Sequence, residues 1–440
     1  MYKNLKILLL GGARSGIAAA KLVCEDNDVT LCDMKELNEE DRKELESLGV
    51  KIVISDHQED IIDESWDLVI KNPAIPYVSK VYQKCLELKI NVINELELAY
   101  HFLPKNTTII GVTGSNGKTT TTTIIYELIK DLGKKVYLGG NIGTALCSFV
   151  KDIEEDSILL LEISDHQLVD FHDFKTNISV LTNISPTHLD YHGSYEHYKQ
   201  TKGKIFENHD ENCLAIINKT NDDAMEVSQG IKSKIEYFND SNNYYNDIGI
   251  YIDKKLVIKL DEIKLLGTHN YENILCALLV MKEFNLDIDI VKKVLKDFGG
   301  VEHRLEFVTE LNGVKYYNDS KATNPEATIT ALKTFNSNIH LILGGQERFQ
   351  DFNDLNDYMK NVGTIYAVGT TTQRVLEYAN GIRKKCYECK YLKNAMEKIK
   401  ENVKPGDIVL LSTASASQDF YKKFEDRGDE FKNIIKSWQE

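Results

Sequence analysis

Short apolar runs alternate with amphipathic stretches through the first hundred residues: LKILLLGG, a helical SGIAAAKLVCE, DVTLCD, a helical EEDRKELESLG, KIVIS and WDLVIKNP. Runs of strand length separated by segments with the 3.6-residue period predict β/α units, and so a parallel sheet with helices on its faces. The stretch HFLPKNTT, His101 to Thr108, breaks this alternation. A second series then opens with TTIIGVTG and runs through the helical TTTTTIIYELIKDLG, KKVYLGGN and SILLLEIS. It closes after a hairpin-like GIYIDKKLVIKL and a helix from about Asn270 to Phe284. DFGGVEHRLEFV reads as the next hinge. From about Val301 onward, YYNDSKAT, HLILGGQ, TIYAVGTT and DIVLLSTASAS alternate with helices and form a third α/β series. The length of 440 residues agrees with about three domains at ~150 residues per core.

Polar residues gather where the apolar runs end. Gly111-Val-Thr-Gly114-Ser-Asn-Gly117-Lys118-Thr119 lies between a strand and a helix, where backbone N–H groups and a helix N-terminus can cradle phosphates. The strict spacing of a P-loop fails at Val112, so this is a variant mononucleotide loop, with Lys118 for the β/γ-phosphates and Thr119 for Mg²⁺. Gly11-Gly12-Ala13-Arg14-Ser15-Gly16 follows the first strand like a dinucleotide turn, with Asp33 at the end of the second strand where a ribose-binding acid sits. Glu162 ends SILLLEIS and His188 lies in NISPTHLDYH; both are expected at the carboxyl edge of the sheet, where an acid and an imidazole can hold a divalent ion. His192 and His197 read as a solvated polar loop. Asn318-Asp-Ser-Lys-Ala-Thr-Asn324, Gly344-Gly345, Arg348 and Ser417-Gln-Asp-Phe make a ring of donors suited to a small carboxylate-bearing substrate.

Charge and composition narrow the function classes. The net charge of −15 argues against nucleic acid and anionic lipid as partners. No apolar run reaches the length of a membrane span, and KILLLGG is too short for a signal-peptide core, so a cytoplasmic protein is expected. Eight cysteines, mostly single within apolar segments, read as buried thiols; Cys386 and Cys389 have CxxC spacing without a second pair to complete a zinc tetrahedron. Arginine is scarce beside lysine, and sites that keep it are those that need its planar fork. Arg14 and Arg348 fall within the ligand sites proposed above.

In this order TGSNGKTTT, LEIS, NISPTHLD, YKQTKGKIF, THNYENILCAL, EHRLEF, NDSKATNP, LILGG and SASQDFYKKFEDRGDEF resemble the Mur ligase family over essentially the whole chain. The resemblance implies an α/β protein of three domains. These are a Rossmann-like UDP-sugar-binding domain over 1–104, a central P-loop-type ATPase domain with a parallel sheet over 105–299, and a Rossmann-like amino-acid-binding domain over 300–440, with closure hinged near Gly299 to Glu302. It implies ATP-dependent addition of D-glutamate to UDP-N-acetylmuramoyl-L-alanine through an acyl phosphate, by a monomer. A related ligase for a different amino acid, of Mur or folylpolyglutamate type, is the alternative. A NAD-dependent oxidoreductase leaves TGSNGKT unexplained, and a non-catalytic nucleotide-gated protein leaves Glu162, His188 and Lys202 unexplained.

Residue by residue, the resemblance implies ATP contacts at Gly114, Ser115, Asn116, Gly117, Lys118, Thr119, Thr120, Asn273, Arg304 and Asp319. It implies two Mg²⁺ ions on Thr119, Glu162, His188 and Lys202, the last as a carbamate. UDP-substrate contacts fall on Gly12, Ala13, Arg14, Ser15, Asp33, Asn72, Asn141 and Gln167, and the amino acid on Lys321, Thr323, Arg348, Ser417 and Phe424. Catalysis is implied for Lys118, Glu162, His188 and Lys202. The chain departs from the family's pattern at Asp165-His166, where a serine and an aromatic are common, at Thr187, at Arg348-Phe349 and in LSTAS.

Overall fold

The computed structural model describes residues 2–265 and 267–439. The chain forms two compact units, Met1–Leu260 with Thr268–Val294, and Asp261–Gly267 with Leu295–Glu440.

The first unit contains two parallel sheets. β1 (Lys6–Leu10), β2 (Asp28–Asp33), β3 (Lys51–Ile54), β4 (Leu68–Lys71) and β5 (Val92–Ile93) lie in the order β3-β2-β1-β4-β5. β6 (Thr108–Thr113), β7 (Val136–Gly140), β8 (Ile158–Glu162), β9 (Ile178–Leu181), β10 (Leu214–Asn218) and β11 (Lys234–Phe238) lie in the order β11-β10-β9-β6-β8-β7. Both orders reverse beside the first strand of the sheet, and that reversal opens a crevice at the carboxyl edge where ligands bind. The central strands are apolar on both faces because helices cover both sides. One buried cluster runs from Leu9 and Leu31 of the first sheet to Leu159 and Leu161 of the second.

A buried ion pair also ties the two sheets together. Lys71 ends β4, and its ammonium lies 3.1 Å from the Asp170 carboxylate, both side chains being fully buried. Tyr82 donates to the other Asp170 oxygen at 2.8 Å, and Lys71 donates to the carbonyl of Ile75 at 3.2 Å. Burial pulls the Lys71 ammonium down and pushes the Asp170 carboxyl up, and each charge opposes that drift in the other.

The expected hairpin is present: β12 (Tyr244–Tyr245), β13 (Gly249–Ile252) and β14 (Lys255–Lys259) form an antiparallel sheet. Asp253 and Lys254 turn it with positive φ at both positions, as a two-residue hairpin of right-handed twist requires.

In the second unit β15 (Glu306–Leu311), β16 (Val314–Asn318), β17 (Ile339–Leu343), β18 (Val362–Val368), β19 (Lys385–Lys390) and β20 (Ile408–Leu411) lie in the order β15-β16-β20-β17-β18-β19. The segment read as a hinge thus ends in a strand. β15 runs antiparallel to β16 through Asn312-Gly313, both at positive φ. That Asn-Gly pair is a strong hairpin signal, masked by an edge strand only half buried along its length. Cys386 and Cys389 stand three residues apart on β19 and so face opposite sides of the sheet, packing into separate apolar clusters. Burial pushes their thiols up to about 12 and about 11.

Removing one partner of a buried pair strands the other charge, at a cost of about 3–5 kcal/mol. Lys71→Met is therefore expected to lower the unfolding free energy of the first unit, extrapolated from urea titration, by an amount of that order. Lys71→Met with Asp170→Asn, which still accepts from Tyr82, is expected to recover most of the loss. A double variant as unstable as the single one would show that packing of the lysine stem, not its charge, matters here.

Candidate active site

The phosphate loop leaves β6 and enters the helix Lys118–Asp131. Gly114 has φ +145° and a Cβ there would stand 1.9 Å from Thr182 Oγ1; Gly117 has φ +82° and its Cβ would meet Asn273 Oδ1 at 2.2 Å. Only glycine fits either place, and Asn273, on the helix Thr268–Lys282, is thereby packed against the loop. The loop is held from the neighbouring strand end. Ser115 N–H donates to the Asn183 carbonyl at 2.9 Å, Asn116 N–H to Asn183 Oδ1 at 3.0 Å, and Thr182 Oγ1 to the Asn116 carbonyl at 2.6 Å. Ser115 Oγ lies 2.5 Å from the Tyr198 hydroxyl. Lys118 folds back to donate to the carbonyls of Gly114 and Ser115 at 2.7 and 2.9 Å. Thr119 and Thr120 open the helix, both buried.

The ends of β8 and β9 bring in the remaining charged groups. Glu162 is buried, with Oε1 accepting from Asn141 Nδ2 at 2.8 Å, while Oε2 has no hydrogen-bond partner among the described residues. A buried carboxylate oxygen left in this state beside a phosphate loop suits a hard cation, so the donor set fits magnesium. Asn141, expected at the UDP substrate, is thus in contact with the acid expected at the metal. Lys202 is wholly buried and donates to Thr113 Oγ1 at 3.2 Å and to the Gly114 carbonyl at 3.0 Å. Burial, reinforced by Lys118, brings its ammonium down to about 7, against the pull of Asp165. His188 caps a short helix with φ 52° and ψ 35°, an uncommon backbone for a non-glycine residue.

Asp165 joins these groups, and sequence reasoning assigned it no role. Its Oδ2 lies 2.9 Å from His188 Nδ1 and 2.9 Å from His192 Nε2, and its Oδ1 lies 3.2 Å from Lys202 Nζ. Burial pushes this carboxyl up, but His188, His192 and Lys202 together hold it far below the usual carboxylate range. His192, expected in a solvated loop, is buried, with Nδ1 3.0 Å from His197 Nδ1. His166 stacks on Tyr191 at 3.8 Å, and burial brings it down to about 4. Gln167 uses its side-chain oxygen to accept from Ser164 N–H at 2.9 Å in a capping box. The signal available in the sequence was Asp165-His166 itself, a departure from the family's pattern.

At the crevice of the first sheet, Gly12 N–H donates to Asp33 Oδ2 at 2.5 Å and Asn72 donates to Ser15 Oγ at 3.2 Å. Gly12, Ala13, Arg14, Ser15, Asp33 and Asn72 are therefore brought to one edge, with Arg14 exposed at the start of its helix.

In the second unit Asp319 is buried, accepting from Ser412 Oγ at 2.7 Å and Leu305 N–H at 3.0 Å, with Arg304 close by. Lys321 stands 5.8 Å over the Phe424 ring, and Thr323 is exposed on the same loop. Arg348 donates to Gln346 and Gln418 at 3.2 and 3.3 Å; Ser417 is buried with an unpaired Oγ among the described residues. Arg427, which sequence reasoning passed over, is buried and donates to carbonyls of Ser320, Ser415 and Ala416 at 2.8–3.3 Å, pinning the loop after β16 to the one after β20. Its signal was the scarcity of arginine.

The profile of the Mur ligase middle domain matches residues 112–281, and that of the Mur ligase glutamate ligase domain matches residues 303–415. The chain is 40% identical over 441 residues to the UDP-N-acetylmuramoylalanine–D-glutamate ligase of Geobacillus sp. (strain WCH70), covering 98% of this chain and 97% of that one. It is 39% identical over 447 residues to the protein of that name from Geobacillus kaustophilus (strain HTA426), covering 99% and 98%. Among solved structures, the UDP-N-acetylmuramate-alanine ligase MurC of Thermotoga maritima superposes with a TM-score of 0.60 at 19% identity, covering 99% of this chain and 100% of that one. The MurF ligase of Thermotoga maritima in complex with ADP does so with a TM-score of 0.56 at 19% identity, covering 98% and 96%. These two show the fold. Among the described residues no helix is long and apolar enough to cross a membrane.

Burial pushes the Asp319 carboxyl up to about 7 from an ordinary 3.8. Between those values the folded chain keeps a proton that the unfolded chain has lost, so this group's contribution to stability falls as pH rises from about 4 to about 7. The loss amounts to about 1.4 kcal/mol for each pH unit crossed in that window. The stability of wild type relative to Asp319→Asn, from urea titrations, is expected to be greatest at about pH 4 and below and to shrink steadily up to about pH 7. A difference that does not change over this range would mean the carboxyl titrates normally.

Proposed function

The chain belongs to the Mur ligase family, and on that premise we infer its reaction: it is an ATP-dependent ligase that adds D-glutamate to UDP-N-acetylmuramoyl-L-alanine in peptidoglycan precursor synthesis. The observation that carries this reading is identity near 40% to ligases of that name over almost the whole chain, with the phosphate loop, Glu162, His188 and Lys202 gathered at one sheet edge. We assign 1–104 to the UDP substrate, 105–299 to ATP and 300–440 to the amino acid, in a monomeric cytoplasmic enzyme. The separate sheets support the division of the chain.

The muramoyl-alanine carboxylate attacks the γ-phosphorus of ATP, ADP leaves, and an acyl phosphate forms. The glutamate amine then attacks the acyl carbon, and the tetrahedral adduct loses phosphate and a proton to give the amide. Loop N–H groups and Lys118, moving off the Gly114 and Ser115 carbonyls, take the charge of the transferring phosphoryl group. Thr119, Glu162, His188 and, as its carbamate, Lys202 are the residues that would hold magnesium, which when bound would neutralise charge on the phosphate oxygens. Asp33, Asn72 and Ser15 orient the UDP substrate. Lys321, Arg348 and Ser417 take the carboxylates of glutamate, Arg348 through its planar fork.

Phosphate release in the presence of UDP-N-acetylmuramoyl-L-alanine and ATP is expected with D-Glu and not with L-Glu, D-Asp or L-Lys. Lys118→Ala is expected to retain less than about a tenth of kcat, a barrier increase above ~1.4 kcal/mol, with an unchanged melting curve. Arg348→Ala is expected to raise the KM for D-Glu far more than that for ATP. Faster turnover with L-Lys than with D-Glu would overturn the substrate assignment.

Lys202 further supports a carbamate. A buried amine brought down to about 7 is available uncharged near neutral pH; it can add CO₂ and lose a proton, becoming an anion able to ligate a cation. With ¹³C-bicarbonate the wild type is expected to show one protected carbamate carbon resonance that Lys202→Ala lacks, and acetate is expected to restore part of that variant's activity. An alanine variant with full activity would remove Lys202 from the reaction.

A further inference from the structure

We propose that Asp165 is a positioning residue: its carboxylate accepts a hydrogen bond from His188 Nδ1–H and so leaves the Nε2 lone pair of that imidazole for the cation. This rests on the reading of His188 as a metal ligand, and it concerns what sets that ligand's tautomer.

An ionised carboxylate only accepts hydrogen bonds. Asp165 Oδ2 is 2.9 Å from both His188 Nδ1 and His192 Nε2, so each imidazole presents a hydrogen to it. For His188 this leaves Nε2 unprotonated in the neutral ring, the form a cation requires. The geometry is held on every side. Ser164 caps the short helix that Asp165 begins, Lys202 approaches the opposite carboxylate oxygen at 3.2 Å, and His192 Nδ1 is backed by His197 Nδ1 at 3.0 Å. His197 in turn packs on the Tyr77 ring at 4.0 Å. His188 itself sits in the left-handed region, φ 52°, a conformation kept only where the surroundings impose it. Because His188 is bound through Oδ2 and Lys202 through Oδ1, Asp165 can keep its hold on His188 whether Lys202 is an ammonium or a carbamate.

A rival arrangement uses Asp165, His166 and His192 directly as ligands, since their donor atoms lie within 4.8 Å of one another. It requires His192 to give up the hydrogen it presents to Asp165. The hydrogen-bonded arrangement keeps that hydrogen in place.

The test counts free Mn²⁺ by electron paramagnetic resonance while the ADP-saturated enzyme is titrated. Loss of a partner that orients a metal-bound histidine weakens metal binding about 10–100-fold. Asp165→Asn and Asp165→Ala are expected to weaken Mn²⁺ by that factor with little change in ADP affinity, His188→Ala by at least as much, and His192→Gln by less than about threefold. Near-UV circular dichroism identifies any variant that has not folded, and two substitutions at Asp165 keep the test open if one fails. Unchanged Mn²⁺ affinity in the folded Asp165 variants, with loss in His188→Ala, overturns this inference alone. Unchanged affinity in His188→Ala overturns the metal reading beneath it. Equal loss in His192→Gln and Asp165→Asn places the cation on the rival cluster and overturns the proposal.

Discussion

A lysine with no exposed surface beneath the phosphate loop is the constraint around which the first unit is arranged. An ammonium taken out of water must be surrounded by acceptors or lose its proton. Lys202 receives a threonine hydroxyl, a loop carbonyl and one carboxylate, which compensate in part, so its proton is held only loosely. That carboxylate, Asp165, is buried too and needs more donors than one lysine supplies, and two imidazoles provide them. The polar centre therefore extends by successive satisfaction of buried groups, from Lys202 to Asp165 to His188 and His192, and ends at His197 against an aromatic ring. Glu162 stands outside this chain of compensation: one of its oxygens is buried and unpaired among the described residues, and it is there that an added cation relieves rather than creates a cost.

How much of this was legible in sequence follows from the range of the interactions. The parallel sheets could be read because each strand carries its own apolar run and each helix its own period; neither depends on distant residues. The phosphate loop was legible for the same reason, its glycines, Lys118 and Thr119 being contiguous. β15 was not, because an edge strand buries too little of either face to alternate cleanly, and only the Asn312-Gly313 turn marked it. Lys202 and Asp165 lie 37 residues apart in the sequence, 202 minus 165, and on different helices. No local pattern announces their pairing, and Lys202 became a candidate through family resemblance alone. Arg427 shows the limit of the scarcity argument. Arginine was indeed kept where its fork is needed, but here the fork spans backbone carbonyls of two loops instead of a ligand.

The Lys71–Asp170 pair bears on function as well as stability. Lys71 precedes Asn72, at the edge where the UDP substrate is assigned. Asp170 follows the helix that begins at Asp165, so the pair links that edge of the first sheet to the edge of the second where the metal is proposed, within one compact unit. Lys71 also approaches the Tyr191 hydroxyl at 3.3 Å, and Tyr191 stacks on His166. An acyl phosphate forms only when a carboxylate and the γ-phosphorus are held at near-attack distance, and small errors in that distance are costly in rate. An apolar contact of equal area would hold the two sheets together, but burial is non-directional and sets register only through the fit of the side chains. A buried charge pair with a tyrosine and a carbonyl on its remaining valences resists sliding, because each displacement leaves a charge less well paired in a medium of low dielectric. The arrangement accepts the desolvation of two charges in exchange for register between the two edges, and register is what the first step of the reaction demands.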